Sequence, residues 1–317
     1  MSTRLLFRKK VLLAIAEVTY GTDPTPDGSN AILTRDLSIQ TFQGNTEEID
    51  YDKPYLGSGK SIFTGPHSVV SFTVDLAGSG VDPSTTATAP AYGPLLQACK
   101  MTETINASTD VTYTLNSDGD DSVTLYFYLE DQLHALVGAR GTFQLEMNRE
   151  ELPKIRFTFT GLRVSPTTAA APSPTGIDDF VEPVPVNDTY SSGFDLLGFG
   201  PQMESLSLDV GNNVVYRNVV GDEAVIITDR NATGQVSIEL PPISEHNYDD
   251  DVFNHTLGDL ALTHGTTAGN IVTIGATGTA QLVSPSMNDS DGITAGQFDL
   301  RLVPTSAGND EFSLTFT

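Results

Sequence analysis

Apolar and polar residues alternate along much of the chain, and this alternation predicts β-strands. Phe157 and Phe159, for example, alternate with Arg156, Thr158 and Thr160, which gives a strand one apolar and one polar face. Gly, Asn, Asp and Pro separate such runs, as expected when antiparallel strands are joined by turns rather than by βαβ crossovers. The pattern therefore predicts an all-β fold with short helices.

The same order of elements occurs twice, so we expect a duplicated architecture. The first copy comprises a loop at 51–64, a helix at 92–99 and strands at 37–40, 70–74, 111–115, 123–129, 142–147 and 155–160. The second comprises a loop at 219–233, a helix at 249–257 and strands at 206–209, 236–240, 260–263, 271–274, 279–283 and 298–303. A duplicated domain can occupy two pseudo-equivalent positions in a symmetric ring.

Composition divides the chain into four segments. Pro24, Pro26 and their flanking glycines predict an irregular arm that is free to reach a neighbour, and residues 165–176 have the Pro, Ala and Thr content of a linker. The predicted segments are an N-terminal arm at 1–30, a first domain at 31–165, a linker or extended segment at 166–200 and a second domain at 201–317. Each domain is predicted to be an antiparallel β-sandwich or barrel.

The charge of the chain argues against nucleic-acid binding. Its 317 residues carry a formal net charge of -25, so the surface repels phosphates instead of neutralising them. Residues 1–163 hold 13 basic and 20 acidic side chains, whereas residues 164–317 hold 3 and 21. Two interpretations stay open: a solvated acidic surface, and an acidic face with a function. The polar faces of the strands are normal for any sandwich, and they are also what the lining of a water-filled channel would need.

Cysteine content and hydropathy indicate the cellular compartment of the protein. A single cysteine, Cys99, excludes an intrachain disulfide framework, and its apolar neighbours predict a small buried side chain. The apolar run at 11–16 is shorter than a secretory signal requires and ends at Glu17. No stretch approaches the ~20 apolar residues of a membrane span, so we expect a cytosolic product without membrane insertion.

None of the short motifs predicts catalysis or a cofactor. Residues 57–61 (GSGKS) resemble the end of a phosphate-binding loop, but Pro54 occupies the position of the first glycine and a strand follows. The acidic runs 116–121 and 288–292 lack the glutamate that closes a calcium loop and are predicted to be hairpin turns, although a weak metal site there stays open. The five histidines are scattered. We therefore expect no enzyme activity, no cofactor and no metal.

Two kinds of segment are candidate subunit contacts. The loops 51–64 and 219–233 occupy matching places in the two copies and combine glycine with exposed-looking apolar residues, which predicts subunit contacts. The basic arm is predicted to reach an acidic neighbour. The candidate residues are Arg8, Lys9, Lys10, Tyr55, Leu56, Ile62, Phe63, Val225, Ile226 and Ile227.

Several strings, taken in their order, resemble a known family. They are residues 18–26 (VTYGTDPTP), 161–162 (GL), 206–218 (LSLDVGNNVVYRN), 264–270 (HGTTAGN) and 307–312 (AGNDEF). Together they span nearly the whole chain, which resembles the major tail, or tail tube, proteins of long, non-contractile-tailed bacteriophages (siphoviruses). Their specificity comes from their number and order, because none of them is a catalytic signature.

The resemblance implies a structural virion protein of the phage tail, made in the host cytoplasm. It implies a fold in which antiparallel sheets of neighbouring subunits join into a continuous β-barrel around a channel for genome delivery. With two tube domains per chain, a homotrimer would form a pseudo-hexameric ring, whereas a single-domain relative would need six subunits. Implied partners are other copies of the chain and the tape measure, terminator and distal tail proteins, while DNA passes through the lumen without specific binding.

Two other classes stay open at this point. A surface adhesin would also be all-β and acidic, but the sequence has neither a signal peptide nor a repeated stalk. Another virion component with the tube fold, such as a tail terminator or baseplate ring protein, is compatible with every feature above. The alternatives differ in whether the protein forms long tubes, single rings or neither.

Overall fold

A computed structural model describes residues 4–317 and confirms the predicted fold class, an all-β protein of antiparallel strands with short helices. Two α-helices occur among these residues, α1 (Gly93–Gln97) and α2 (Tyr248–Phe253). The first strands are β1 (Lys10–Ala16), β2 (Ala31–Ile32), β3 (Arg35–Ile49), β4 (Lys60–Asp75), β5 (Met101–Asn106), β6 (Asp110–Leu115), β7 (Val123–Leu129), β8 (Gln132–Asn148) and β9 (Lys154–Arg163).

The remaining strands follow a short connecting segment. Short 3-10 helices occur at Gly28–Asn30 and Thr175–Asp179. The strands are β10 (Thr167–Thr168), β11 (Ser191–Leu196), β12 (Met203–Asp209), β13 (Asn212–Val219), β14 (Asp222–Arg230), β15 (Thr233–Glu239), β16 (Leu257–His264), β17 (Val272–Ser290), β18 (Ile293–Leu302) and β19 (Ser313–Phe316).

Strand identity follows from the alternating pattern. In β9, Ile155, Phe157 and Phe159 are fully buried while Arg156 on the opposite face is exposed. Helix α2 begins where the Asn247 side chain accepts a hydrogen bond from the Asp250 backbone N–H. Cys99 is fully buried beside α1, which confirms its predicted place in the core.

The two halves repeat one order of strand pairing. In the first repeat (residues 10–163) the strands pair antiparallel in the order β1, β7, β8, β9, β4, β3. In the second repeat (residues 191–302) the order is β11, β16, β17, β18, β15, β12. Helix α1 follows β4 just as α2 follows β15. The predicted duplication of elements therefore extends to the pairing of the strands.

The repeats are joined edge to edge. Strand β12 of the second repeat pairs with the end of β8 in the first, and β19 pairs with both β17 and β6. Buried residues of both repeats form one continuous apolar cluster, which includes Phe157 of the first and Leu208 of the second. The two repeats thus share a core as well as a sheet.

The N-terminal segment differs from the irregular arm expected over residues 1–30. Residues 10–16 form β1, which pairs along its whole length with β7, and Leu12 and Leu13 are fully buried. The six apolar residues that are too few for a signal peptide are enough for a buried strand. The prediction of irregular structure is therefore wrong for this stretch.

Three other local predictions are also wrong. Residues 212–230 form the hairpin β13–β14 instead of a loop over 219–233. Residues 271–274 and 279–283 belong almost entirely to a single bulged strand, β17, and the turn at 116–121 connects β6 to β7, which do not pair with each other. The turn at 288–292 is confirmed as a hairpin turn because Asp291 and Gly292 adopt positive φ angles between β17 and β18.

Neither α-helix within residues 4–317 has the length and apolar character needed to span a bilayer.

Candidate functional site

The joint between the two repeats is an antiparallel strand pair, called here the internal junction. It consists of residues 205–209 of β12 and residues 144–148 of β8. On the core side, Leu206 and Leu208 meet Leu145 and Met147, and all four side chains are essentially buried. The junction therefore combines backbone hydrogen bonds with apolar burial, and it leaves no free edge on this part of β12.

The hairpin β13–β14, called the second hairpin (residues 212–230), folds back over strands β8 and β9 of the first repeat. Val225 is fully buried there and Ile227 is 9 % exposed. Both were predicted to be subunit contacts; they face inward because alternate residues of β14 point at the first repeat. In the single subunit their contacts lie within the chain.

A buried arginine anchors the second hairpin. Arg140 of β8 is 4 % exposed, and its Nη1 donates to the backbone oxygen of Val225 at 2.8 Å. Its Nη2 and Nε donate to the backbone oxygens of Asp120 and Asp121, and Nη2 lies 2.9 Å from Asp120 Oδ1. Tyr20 covers the guanidinium with its ring and accepts the Val225 N–H at 2.6 Å. Every part of the buried charge is thereby compensated.

Tyr20 is an acceptor for that backbone N–H in its neutral form. Burial, the largest influence, raises the pKa of the Tyr20 hydroxyl, while the Val225 hydrogen bond and Arg140 lower it. The phenol therefore stays protonated around neutral pH and does not add a negative charge beside Arg140. Its role is to hold the hairpin, not to exchange protons.

The corresponding end of the β3–β4 hairpin, called the first hairpin (residues 43–67), has no such cover. Its apolar side chains are exposed, from 37 % to 102 %, at Phe63, Ile62, Tyr55, Tyr51 and Leu56. The residues 57–61 that resemble a phosphate loop lie here, in an exposed loop that leads into β4 and not into a helix. Contiguous exposed apolar residues mark a surface that another chain or segment covers.

Two strand edges are also open in the single chain. Within the described residues β3 pairs only with β4, so its outer edge is free. The end of β17, residues 284–290, pairs only with β18. Met287 on this end is 66 % exposed, although most apolar residues earlier in β17 are buried. Open edges of this kind are templates for strand pairing between molecules.

The sheet carries charges of both signs on its polar face. Carboxylates and basic side chains alternate with serine and threonine, and Lys154 forms a 3.1 Å ion pair with Glu146. The acidic residues on this face are Asp75, Glu146, Asp209, Glu239 and Asp299, and the basic residues are Lys154, Arg156 and Arg301.

Of the three basic residues predicted to be subunit contacts, two are paired within the chain and one is exposed. Lys9 Nζ lies 3.3 Å from Glu130 Oε1, and Lys10 Nζ donates to the Leu37 backbone oxygen at 2.7 Å. Arg8 is exposed beside Phe7, which is 73 % exposed. Two of the three candidate basic residues are therefore engaged inside the chain.

The described part of the chain contains no group of three His, Cys, Asp or Glu side chains arranged to hold a metal. His264 is buried and lies 2.9 Å from Ser191 Oγ through Nδ1 and 3.1 Å from the Val184 backbone oxygen through Nε2. Burial lowers the pKa of its imidazole. These contacts join β11 and the connecting segment to β16.

A family model described as phage tail tube protein matches residues 8–316, which includes both repeats, both hairpins and both open edges. The chain belongs to the phage tail tube protein family. A phage tail tube protein is a structural component of the virion tail, and it self-assembles into a tube together with other tail proteins. No curated protein sequence matches this tail tube protein significantly.

Sequence reasoning missed two residues that shape this surface. Arg140 could have been singled out because it interrupts an otherwise mostly uncharged strand, where a charge requires partners. Met287 lies beside an acidic hairpin turn, and an apolar side chain in such a polar run is a signal for contact.

Proposed function

We propose that this tail tube protein polymerises as stacked rings of three copies, and that each ring presents six pseudo-equivalent tube repeats. The observation that carries the proposal is the internal junction, where two repeats with the same pairing order join edge to edge within one chain. Repeating that joint from copy to copy gives a head-to-tail contact, which forms a ring when the rotation closes. Three chains supply six repeats.

The positions of the open edges support closure. In the chain of paired strands, one open edge belongs to β3 of the first repeat and the other to β17 of the second. The two repeats are already joined through β8 and β12, so each copy offers one unused edge of each kind to its neighbours. A ring uses all of these edges, whereas a free subunit leaves them in water.

We further propose that the polar face of the joined sheets lines a channel through which the genome leaves. Lys154 and Glu146 neutralise each other. The other carboxylates of the face, which include Asp209, Glu239 and Asp299, outnumber Arg156 and Arg301 and repel phosphates. Duplex DNA can then move along the bore without specific binding.

The exposed end of the chain is proposed to contribute to stacking between rings. Arg8 and Phe7 are exposed, while residues 10–16 belong to the core. An adjacent ring offers acidic surface to these residues, because the chain has an excess of carboxylates. The first hairpin is proposed as a second subunit contact through Tyr55, Leu56, Ile62 and Phe63.

Negative-stain microscopy of the purified protein, over a range of concentrations and ionic strengths, tests the proposed function. Long hollow tubes are expected, and their averaged cross-sections should have three-fold symmetry. Single rings that do not stack would instead indicate a terminator or baseplate ring protein. Monomers at every concentration, with a folded far-UV circular dichroism spectrum, would contradict the proposal.

A further inference from the structure

The strand registers show which residues of the two repeats correspond, beginning with β3 of the first repeat and β12 of the second. Pairing of β3 with β4 is interrupted after Gln40 and resumes at Gln43. In the second repeat, pairing is interrupted after Asp209 and resumes at Asn212. Gln40 therefore corresponds to Asp209, and Gln43 corresponds to Asn212.

The same matching can be followed across the sheet. From Gln40 the opposite residues are, in order, Val69, Thr160 and Arg140. From Asp209 they are Thr233, Arg301 and Gln281. Arg156, four residues before Thr160 in β9, pairs with Gln144. Gln297, four residues before Arg301 in β18, pairs with Ser286. Gln144 thus corresponds to Ser286, although β17 has an additional bulge.

Replacing each residue of the internal junction by its counterpart in the other repeat defines a second junction. One chain cannot make this junction with itself. Three consecutive pairs at one end of the internal junction are Asp209 with Gln144, Leu208 with Leu145 and Ser207 with Glu146. Their counterparts are Gln40 with Ser286, Ile39 with Met287 and Ser38 with Asn288. These counterparts lie on the two open edges, so the missing partner is a second copy of the chain.

We propose that neighbouring copies join in this register: β3 of one copy pairs antiparallel with the end of β17 of the next, with Ile39 opposite Met287. The proposal rests on the proposed ring function and specifies its lateral contact. Met287 then takes the place of Leu145, which is 1 % exposed at the internal junction, and loses most of its 66 % exposure. Ser38 and Asn288 face the polar side, as Ser207 and Glu146 do.

The charges flanking the joint are complementary. At the internal junction, Arg149 Nη1 lies 3.2 Å from Glu204 Oε1. At the proposed joint, Arg35 lies at the corresponding end of β3 and Asp291 directly follows β17, so the two charges are again opposite in sign but exchanged between the two sides. Arg35 and Asp291 have exposed side chains, although each also has an ion-pair partner within its own chain. Opposite charges at the flanks of the two edges favour their association.

The first hairpin supplies independent support. Counting from Gln43 and Asn212, the strand pairs Glu47 with Ile62 and Tyr216 with Val225 occupy the same place. Val225 is fully buried against the first repeat of its own chain, whereas Ile62 is 47 % exposed. The joint would lay the first hairpin over β17 and β18 of the next copy and bury Ile62. The contact is therefore lateral, within a ring, and not between rings.

Disulfide trapping in assembled tubes tests the register. Ser38→Cys combined with Asn288→Cys places two thiols on directly opposite residues of the proposed pair, within the reach of a disulfide. Cys99 is buried and does not compete. Mild oxidation should convert most of the protein into covalent trimers, which dithiothreitol returns to monomers on denaturing gels.

Two matched pairs serve as controls. Ser207→Cys with Glu146→Cys is the corresponding pair of the internal junction and should form a disulfide within the monomer. Gln40→Cys with Ser290→Cys is displaced by four residues, about 13 Å along the strand, and should not link. Equal linking of the displaced pair would show a different register and overturn the proposal.

The outcomes separate this joint from the function on which it rests. Normal tubes in which Ser38→Cys and Asn288→Cys never link would overturn the joint and leave the tube function standing. Wild-type protein that forms neither rings nor tubes would overturn both. If the cysteine variant does not fold, Met287→Asp provides the second test. It should leave the monomer unfolding curve unchanged and raise the concentration needed for assembly about tenfold or more, and unchanged assembly would contradict the joint.

Discussion

The two hairpins of the chain occupy the same place in the two repeats but differ in what covers them. The second hairpin lies on the first repeat, with Val225 buried and Arg140 bonded to its backbone. The first hairpin leaves Ile62 and Phe63 exposed. The difference indicates that duplication provides one repeat with a partner inside the chain and leaves the other to find its partner in a second copy.

Placing the same charge on both hairpins should give the largest difference between them. Val225→Asp buries an unpaired carboxylate and should reduce the free energy of unfolding by about 4 kcal/mol. Ile62→Asp should change it by less than about 0.5 kcal/mol in the monomer, because the side chain is half exposed. Urea unfolding followed by circular dichroism measures both values under conditions that prevent assembly.

Ile62→Asp should nevertheless reduce tube formation in a sedimentation assay. Equal destabilisation of the monomer by the two substitutions would contradict the contrast between the hairpins. Normal assembly of Ile62→Asp would contradict the proposed role of the first hairpin.

Removing the anchor of the second hairpin should have the next largest effect. Arg140→Met removes the charge that three backbone oxygens share, and we expect the free energy of unfolding to fall by about 3 kcal/mol. Arg217→Met is the matched control, since Arg217 is an exposed arginine of the same hairpin. A loss below about 1 kcal/mol for Arg140→Met, or an equal loss for Arg217→Met, would show that the arginine does not anchor the hairpin.

Acid should weaken the packing around His264 in the second repeat. Burial lowers the pKa of His264 from its ordinary value of 6.5, so the folded state favours the neutral imidazole. Stability from this group is complete above the unfolded-state pKa and declines as the pH falls below it. The free energy of unfolding should therefore fall as the pH is lowered from 7.5 to 5. His264→Gln should reduce this pH dependence, and an unchanged dependence would assign it to other groups.

Shortening the N-terminus should have the smallest effect on the folded subunit. Removing residues 2–8 leaves β1 intact and should change the free energy of unfolding by less than about 0.5 kcal/mol. Removing residues 2–16 deletes a buried strand and should prevent folding. If residues 4–8 contribute to stacking, the shorter deletion should give shorter or fewer tubes by electron microscopy, and tubes of normal length and yield would exclude that role.

Local periodicity was sufficient to predict much of the fold. The alternation in β9, the burial of Cys99 and the hairpin turn at Asp291 and Gly292 each depend on nearby residues, and each was predicted from the sequence. Strand β1 was not predicted because Pro24 and Pro26 indicate irregular structure, although both prolines lie outside the strand.

The candidate site was less predictable because its geometry depends on distant pairings. Val225 looks like an exposed loop residue until β14 is placed against β8, and that contact spans 85 residues between Arg140 and Val225. Ile62 has a similar local sequence but remains 47 % exposed among the residues that the structure describes. Only the strand registers show that Ile62 and Val225 occupy corresponding positions. The buried contact of Val225 therefore indicates the contact expected for Ile62.

A cryo-electron microscopy reconstruction of the assembled tube would show directly whether the internal junction is repeated between copies. We expect three copies per ring and six similar junctions, which alternate between β12–β8 pairs within chains and β3–β17 pairs between them, with Ile39 opposite Met287. A ring of six copies, or a ring in which the β3 edge faces solvent, would contradict this expectation.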